Sequence, residues 1–384
     1  MKNLKKIILL MLVLLTLISN FYSINPKADE IDVEDENYVE IISDDFDKSK
    51  PLKVSARNAI ALDSKNNTVL WSQNGYEIVP MASTTKILTA IIAINYGNLD
   101  ERVTISKNAA AIRGSTVGYK AGEEIAMREL LFGLMFKSGN DAAIAIAESI
   151  GGSVEKFSNI MNDYAKSLGV IDSHFESPHG LDGKKHYSSA YDLAILTSQG
   201  MKYEVFREIV GEKIISRDKY NFTRDYQNIN KILHIIPNAN GVKTGYTGGA
   251  GKCLVSSVKH EDRNIIIVVL NCVDRWSQTE KIFNYVKNIN TFETKKNKDL
   301  INNSEYDNIK EFILEEDINY PYDENYSFNV EFYNVINNLK EGDIIGKITL
   351  KNKEQEVNRY NLKINKDISL KDYDILINKE KVEE

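Results

Sequence analysis

Apolar and polar positions change their spacing twice along the chain. Residues 56–79, ARNAIALDSKNNTVLWSQNGYEIV, alternate in polarity and contain a turn sequence at SKNN, which predicts a strand hairpin. From Met81 to about Gly211, apolar residues recur mainly at helical spacing, as in MRELLFGLMF and DAAIAIAESI. GVKTGYTGGAGKCLVSSV and NIIIVVLNC then favour strands, and RWSQTEKIFNYVKN favours a closing helix. Strands at both ends with helices between them predict one α/β domain over residues 53–291, with both ends in its sheet.

The composition changes after Thr291. Asn, Lys, Glu and Asp become frequent, and YSFNVEFYNV, DIIGKITLKN and YNLKI alternate like short strands. This pattern predicts a small, all-β, sandwich-like domain over residues 292–384. The tail ISLKDYDILINKEKVEE also alternates like a strand, and it is not a basic amphipathic helix of the kind that lies on membranes.

The N-terminus has the layout of a secretory signal over residues 1–28. A basic MKNLKK precedes the apolar run IILLMLVLLTLI, which is short for a membrane span, and a polar stretch follows. Ser23 and Ala28 are candidate cleavage positions, and an uncleaved anchor is the alternative. Both interpretations place the protein outside the cytoplasm, in the cell wall or on the outer face of the membrane. The acidic residues 29–52 are expected to form a solvated linker.

Composition narrows the function classes. The chain has 384 residues, is 42% hydrophobic and 27% charged, and carries a formal net charge of −7. These values are ordinary for a globular protein and argue against general nucleic-acid binding. The two cysteines, Cys253 and Cys272, lie nearly opposite each other when residues are counted outward from the turn KHEDRN. A cross-strand disulfide and two small buried thiols are both open interpretations.

A serine and a lysine stand at the head of a strongly apolar run, VPMASTTKILTA. Pro80 favours a helix start, and a helix brings Ser83 and Lys86 to one face. Unpaired N–H groups in a first turn can stabilise an oxyanion, and a lysine kept neutral can activate a serine. Burial and nearby positive charge favour a neutral lysine. The same spacing recurs elsewhere in the chain, so the motif needs support from other residues.

Two further polar motifs interrupt the apolar pattern. KSGNDAA places Ser138 and Asn140 in a glycine-containing junction between two apolar helices. It predicts either a rigid polar loop facing a cleft or a helix cap at Asn140 or Asp141. Lys-Thr-Gly at 243–245 occurs once, where a strand is expected. It could hold a carboxylate, or TGG could be a plain hairpin turn.

Ser-x-x-Lys, Ser-x-Asn and Lys-Thr-Gly in this order resemble the motifs of penicillin-binding proteins and serine β-lactamases. The strings VPMASTTKILTA, KSGNDAA, SPHGLDGKKHYSSAYDLA and GVKTGYTGGAGKCLVSSV are similar to the low-molecular-mass D-alanyl-D-alanine carboxypeptidases over about residues 53–290. LKEGDIIGKITLKN further resembles the small C-terminal β domain of that family. The resemblance implies an α+β transpeptidase-like fold with an antiparallel sheet and a helical region.

The same resemblance implies an activity and a set of roles. A serine-type carboxypeptidase of this family removes the terminal D-alanine from peptidoglycan stem peptides, is acylated by β-lactams, and serves cell-wall biogenesis and cell shape. Ser83 would be the nucleophile, Lys86 its base, and Ser138 and Asn140 would pass protons and hold the substrate amide. Substrate binding would fall to Lys243, Thr244, Gly245, Tyr246 and Arg275, with the N–H groups of Ser83 and Tyr246 as the oxyanion hole. Arg275 would add a second cation for the carboxylate, unless it is a surface residue at a helix start.

The segment SPHGLDGKKHYSSAYDLA has a metal interpretation and a structural one. His174, His179 and His186 suggest zinc, but H-E-x-x-H is absent and the spacings match no zinc site. A loop that ends in a cap at Ser188 or Ser189, fixed by Asp192, is favoured, with no metal or cofactor.

Several functional alternatives remain. They are a β-lactamase or a D,D-transpeptidase on the same scaffold, a catalytically idle wall-binding protein, and a zinc peptidase. Two features depart from the family: the tail lacks an amphipathic helix, and the acidic segment Asp29–Asp47 has no counterpart.

Overall fold

The computed structural model describes residues 52–289, 292–295, 312–314, 317–321, 326–352 and 355–373. The expected signal segment, and the expected acidic linker up to residue 51, lie outside the described residues. The predicted domain boundaries stay predictions.

A five-stranded antiparallel sheet forms the centre of the larger region, in the order β2–β1–β9–β8–β7. Alternate residues of β9 pack into two different hydrophobic cores, one on each face of the sheet. A strand buried on both faces reads as a continuous apolar run, which is the pattern of NIIIVVL. The predicted strand hairpin and the return to strands are confirmed. The strands are β1 (Asn58–Asp63), β2 (Thr68–Gln73), β7 (Ala239–Thr247), β8 (Gly251–His260) and β9 (Arg263–Leu270).

Helices fill the chain between β2 and β7, as the apolar spacing predicts. The first, α1 (Lys86–Tyr96), is buried from Lys86 to Ala93, so it runs through the core rather than along the surface. The others are α2 (Lys107–Ala111), α3 (Met127–Phe136), α4 (Asn140–Gly151), α5 (Val154–Ser167), α6 (Ala190–Gly200), α7 (Glu204–Gly211), α8 (Arg217–Tyr220) and α9 (Ile232–Ile235), with α10 (Arg275–Val286) closing the region. Two short hairpins accompany them: β3 (Arg102–Thr104) with β4 (Glu124–Ala126), and β5 (Ile214–Ile215) with β6 (Tyr226–Gln227).

The C-terminal region is all β through residue 364 in the part that the structure describes. One sheet has the order β11–β15–β14–β13, and β10 pairs with β12. In the expected strand tail, Ile368 forms an isolated antiparallel bridge with Leu339, but residues 370–373 are helical, so the strand prediction is wrong there; residues 374–384 lie outside the described residues. The strands are β10 (Phe292–Lys295), β11 (Phe312–Leu314), β12 (Ile318–Pro321), β13 (Tyr326–Phe332), β14 (Ile344–Asn352) and β15 (Gln355–Ile364).

Side chains of both regions meet where β15 packs near β2. Arg359 forms an ion pair with Asp172, and its guanidinium lies 4.8 Å from the ring centre of Tyr76. The Tyr76 hydroxyl donates to the carbonyl of Val357 at 3.0 Å. The contact therefore combines an ion pair, an aromatic surface and a backbone hydrogen bond.

Both cysteines are buried thiols. Cys253 lies in the core on one face of the sheet, whereas Cys272 lies in the core on the other. Leu254 pairs with Val269, and Cys272 lies past the end of β9, so it is not opposite Cys253. Side chains on opposite faces cannot be bridged without moving the backbone.

Within the described ranges, none of the helices combines the length and the apolar character that a membrane crossing requires.

Candidate active site

The first serine motif forms a 3₁₀ turn, Ala82–Thr85, directly before α1. Side chains three residues apart eclipse in a 3₁₀ helix, which places Ser83 and Lys86 side by side. Lys86 Nζ lies 2.5 Å from Ser83 Oγ, and both residues are buried. Ala82, just before the serine, has a φ of +51°, a left-handed conformation that is strained for a residue with a Cβ.

The second motif surrounds the lysine. Lys86 Nζ donates to Asn140 Oδ1 at 2.8 Å, and Asn140 Nδ2 donates to the carbonyl of Arg113 at 2.7 Å. The cap alternative is wrong, because Gly139 occupies the cap position of α4 and makes no side-chain cap bond. Asp141 instead accepts the N–H groups of residues 117–119. Asn140 therefore orients Lys86, and Asp141 ties the start of α4 to residues 117–119.

The third motif lies on β7, beside the serine turn. Lys243 Nζ donates to Ser138 Oγ at 2.9 Å, and both side chains are buried. Thr244 is buried and Tyr246 is half-buried. A Cβ built on Gly245 would lie 3.1 Å from the backbone nitrogen of Ser83, so a side chain there would crowd the serine turn, and glycine favours the close approach of the strand. The turn alternative applies to residues 248–250, after the strand has ended.

Arg275 lies behind this strand, at the start of α10. It is 1% exposed, and its Nη1 donates to the carbonyls of Gly245 at 3.1 Å and Cys253 at 3.2 Å. The surface alternative for Arg275 is therefore wrong. Its guanidinium also lies 4.8 Å from the ring centre of Trp276, which is a cation–π contact.

A loop over residues 172–189, the covering loop, contacts the serine motif and also reaches the end of β7, where Thr247 Oγ1 donates to Asp182 at 2.7 Å. The carbonyl of His179 accepts Lys86 Nζ at 2.8 Å and the Ser83 hydroxyl at 3.3 Å. Burial, together with the nearby Lys86, lowers the pKa of His179 to about 3, so its ring is neutral. The sequence analysis did not predict this backbone acceptor. The neighbouring Gly180, which packs closely on the Ala82 carbonyl, is the sequence feature nearest to it.

The structural interpretation of the covering loop is confirmed. Ser189 caps α6 by accepting the N–H of Asp192 at 3.0 Å, and the Asp192 carboxyl accepts Ser173 Oγ at 2.7 Å. Burial raises the pKa of Asp192 to about 7. Among the described residues, no group of three His, Cys, Asp or Glu side chains is placed to hold a metal ion.

The arrangement joins two amine–hydroxyl pairs in one buried cluster. Lys86 faces Ser83, and Lys243 faces Ser138. Such a set can accept a proton from one serine, pass protons through the other, and attract an anion. These are the elements of acyl transfer by a serine with a lysine base.

The sequence model of the D-alanyl-D-alanine carboxypeptidase family S11 matches residues 45–274, more than half of the chain. The chain belongs to this family. DacF, a D-alanyl-D-alanine carboxypeptidase of Bacillus subtilis, is 35% identical over 250 residues, which is 63% of this chain and 64% of the relative. DacC, a D-alanyl-D-alanine carboxypeptidase of Escherichia coli, is 34% identical over 60% of this chain and 61% of the relative. The match thus spans less than two thirds of the length of either relative.

Solved structures of the family have the same fold. The crystal structure of the D-alanyl-D-alanine carboxypeptidase DacD from Francisella tularensis has a TM-score of 0.60 at 26% identity, covering 87% of this chain and 97% of that one. The Streptomyces K15 DD-transpeptidase has a TM-score of 0.58 at 31% identity, covering 62% of this chain and 98% of that one. The predicted fold class is confirmed: helices and an antiparallel sheet, with a small all-β region at the C-terminus.

Proposed function

We propose that this family member is a serine D-alanyl-D-alanine carboxypeptidase that trims peptidoglycan stem peptides through an acyl-enzyme on Ser83. The observation that carries the proposal is the 2.5 Å approach of Lys86 Nζ to Ser83 Oγ, with both residues buried. A serine hydroxyl needs an adjacent base to act as a nucleophile, and this amine is placed to be one.

Acylation would proceed as follows. Ser83 Oγ attacks the carbonyl carbon of the bond between the two terminal D-alanines, and its proton passes to the Lys86 amine, which acts as the base in its neutral form. The backbone N–H groups of Ser83 and Tyr246 would stabilise the oxyanion. Collapse breaks the carbon–nitrogen bond, and the departing D-alanine amine takes a proton. Water then attacks the ester, which frees the shortened peptide and restores the Ser83 hydroxyl.

Lys243 and Thr244 are assigned to the terminal carboxylate of the substrate. Both lie on β7 beside the serine turn, and Lys243 already donates to Ser138, so one cation can serve the proton path and the anion. We assign Arg275 to support of this strand, because it donates to the Gly245 carbonyl, and to the positive potential of the site.

Three wider features belong to the same proposal. β-Lactams would acylate Ser83, because they present a strained amide and a carboxylate to the same groups. The basic and apolar N-terminus supports export, with action in the wall or at the outer face of the membrane. Contact with a membrane or wall surface is proposed without a specific site.

The test is D-alanine release from a peptide ending in D-Ala-D-Ala, using the detergent-solubilised full-length chain. Wild type should release D-alanine, and Ser83→Ala should not. Ser256→Ala is the matched control, because Ser256 is buried and precedes Lys259 by three residues, but on β8, where such residues point to opposite faces. Release by Ser83→Ala would disprove the nucleophile. No release by folded wild type would disprove the carboxypeptidase.

A D,D-transpeptidase is the second candidate, favoured by the likeness to the Streptomyces K15 DD-transpeptidase. Adding an amine acceptor such as glycine would distinguish the two. Transfer of the acyl group to the amine in place of hydrolysis would favour the transpeptidase. Rapid turnover of a β-lactam, rather than a persistent acyl-enzyme, would favour a β-lactamase.

A further inference from the structure

The turn that carries Ser83 is held by a chain of buried hydrogen bonds that the proposed reaction does not use. Ala82 has its strained φ of +51° immediately before the serine. The direction of the Ala82 carbonyl therefore fixes the peptide plane that contains the Ser83 N–H. Such a conformation persists only where the surroundings determine it.

The first link in this chain is Thr85. Its hydroxyl donates to the Ala82 carbonyl at 2.9 Å, and its Oγ1 lies 2.9 Å from Nε2 of His186. Thr85 is fully buried, and His186 is 4% exposed. These bonds are therefore shielded from water and cannot be replaced by solvent without opening the covering loop.

Which atom donates in each of these hydrogen bonds follows from Nδ1, the other ring nitrogen of His186. His186 Nδ1 accepts the backbone N–H of Glu176 at 3.0 Å, so Nδ1 carries no proton. A neutral ring must then carry its proton on Nε2, which donates to Thr85 Oγ1. Burial lowers the pKa of His186 to about 4, in agreement with a neutral ring at ordinary pH. The Thr85 hydroxyl accepts one bond, which leaves its own proton for Ala82.

The covering loop supports the same carbonyl a second time. Gly180 packs so closely that an added Cβ would lie 2.0 Å from the Ala82 oxygen. The neighbouring His179 carbonyl accepts Lys86 and Ser83 directly. One loop therefore contacts both the reacting pair and the backbone that orients it.

We propose that His186 is a positioning residue, whose Nε2–H acts through Thr85 on the Ala82 carbonyl and thereby aims Ser83. This role rests on the proposed function of Ser83 as the nucleophile. The hydrogen bonds of His186 go to Thr85 and to the Glu176 backbone rather than to Ser83 or Lys86, so its effect is on geometry rather than on proton transfer.

The test is a matched pair of substitutions at each link. Asn at 186 can place an oxygen near the Nδ1 position and keep the Glu176 bond, but it cannot reach Thr85. Gln can place a donor near the Nε2 position and reach Thr85. We expect His186→Asn and Thr85→Val each to lower kcat for D-alanine release by about 10- to 100-fold, with KM little changed. His186→Gln and Thr85→Ser should keep most of the rate.

The double variant His186→Asn/Thr85→Val should be no slower than either single variant, because each substitution alone already interrupts the same series of hydrogen bonds. Three results would each overturn the proposal. The first is an equal loss of kcat in His186→Asn and His186→Gln, and the second is a loss of kcat in the double variant that equals the product of the single losses. The third is a kcat unchanged by Thr85→Val. If His186→Asn does not fold, the Thr85→Val and Thr85→Ser pair decides.

A spectroscopic measurement separates this role from the proposed function. In ¹⁵N-histidine-labelled wild type, two-bond correlations should show His186 with a proton on Nε2 and a bare Nδ1. The opposite tautomer would overturn the proposal even in an active enzyme. Wild type that releases no D-alanine but shows the expected tautomer would refute the proposed function and keep the hydrogen-bond chain.

Discussion

Asp192 should make the stability of the larger region depend on pH in an unusual direction. Its carboxyl is buried, accepts Ser173 Oγ at 2.7 Å, and has a pKa raised from 3.8 to about 7, mainly by burial. The hydrogen bond from Ser173 lowers this pKa in part, the negative charge of Asp172 raises it, and the Asp172 backbone N–H and the positive charge of Arg359 lower it. Because the folded pKa lies above the unfolded value, the folded state binds the proton more tightly. The resulting stability is fully present below pH 3.8 and is lost as pH rises toward about 7.

The size of the effect follows from the shift. A difference of about three pKa units corresponds to about 4 kcal/mol of unfolding free energy between the two limits. The variant Asp192→Asn keeps the shape and an acceptor for Ser173 but cannot ionise. Its stability relative to wild type should therefore improve by up to about 4 kcal/mol between about pH 4 and about pH 8.

Urea unfolding followed by tryptophan fluorescence provides the assay. Both tryptophans, Trp71 and Trp276, lie in the larger region, so the signal reports on it alone. Asp163→Asn, at an exposed aspartate of α5, is the control and should show no such pH dependence. A free-energy difference between Asp192→Asn and wild type that stays constant from about pH 4 to about pH 8 would refute the reasoning.

Three further outcomes are expected. Gly180→Ala should lose D-alanine release and at least about 1 to 3 kcal/mol of stability, because its φ is +91° and the added Cβ would meet the Ala82 carbonyl. Gly152→Ala, with a φ of +75° and open space around the Cβ, should lose stability without losing D-alanine release. A double-mutant cycle with Arg359→Met and Asp172→Asn should give a coupling energy of about 1 to 3 kcal/mol in urea unfolding. The thiols of Cys253 and Cys272 should resist an aromatic disulfide reagent in the folded protein and react fully in denaturant. Burial raises the pKa of Cys253 to about 11 and that of Cys272 to about 12, which keeps both thiols protonated.

Each of these has an outcome that contradicts it. Equal effects of the two glycine variants on D-alanine release would mean that backbone conformation alone, and not the contact with Ala82, is responsible. A coupling energy near zero would mean that the Arg359–Asp172 pair is no stronger than an exposed ion pair. Prompt reaction of either thiol in the folded protein would place it at the surface.

Residue type and spacing were enough to predict the strands and to single out the three polar motifs, whereas the resemblance to the carboxypeptidase family implied that the motifs meet in one site. NIIIVVL and its neighbours read as strands because both faces of the sheet are covered, and Lys-Thr-Gly occurs once, on such a strand. Ser83 and Lys86 lie at the head of an apolar run because the helix that follows them is buried. In each case the polarity of the side chains indicates whether the position is buried.

Contacts made by backbone atoms cannot be predicted from residue type in this way. The His179 carbonyl that accepts Lys86 could belong to any residue, and nothing in the side chain announces it. A surface interpretation of Arg275 was possible because a charged residue at a helix start is usually solvated. In the structure its guanidinium instead donates to two backbone carbonyls and packs on an aromatic ring. The hairpin of β3 and β4 has three residues in each strand, too few to establish an alternating pattern.

The pairing of β1 with β9 has a consequence for the order of folding. Asn58 lies opposite Leu270, so the sheet joins segments that are synthesised far apart in time. Such a fold has a high contact order, and its central hydrogen bonds must wait for the last third of the catalytic region. Until then the β1–β2 hairpin presents an open apolar edge, which is a hazard for aggregation. A nascent chain that stops before Arg263 would therefore be a substrate for chaperones or proteases rather than a shorter enzyme.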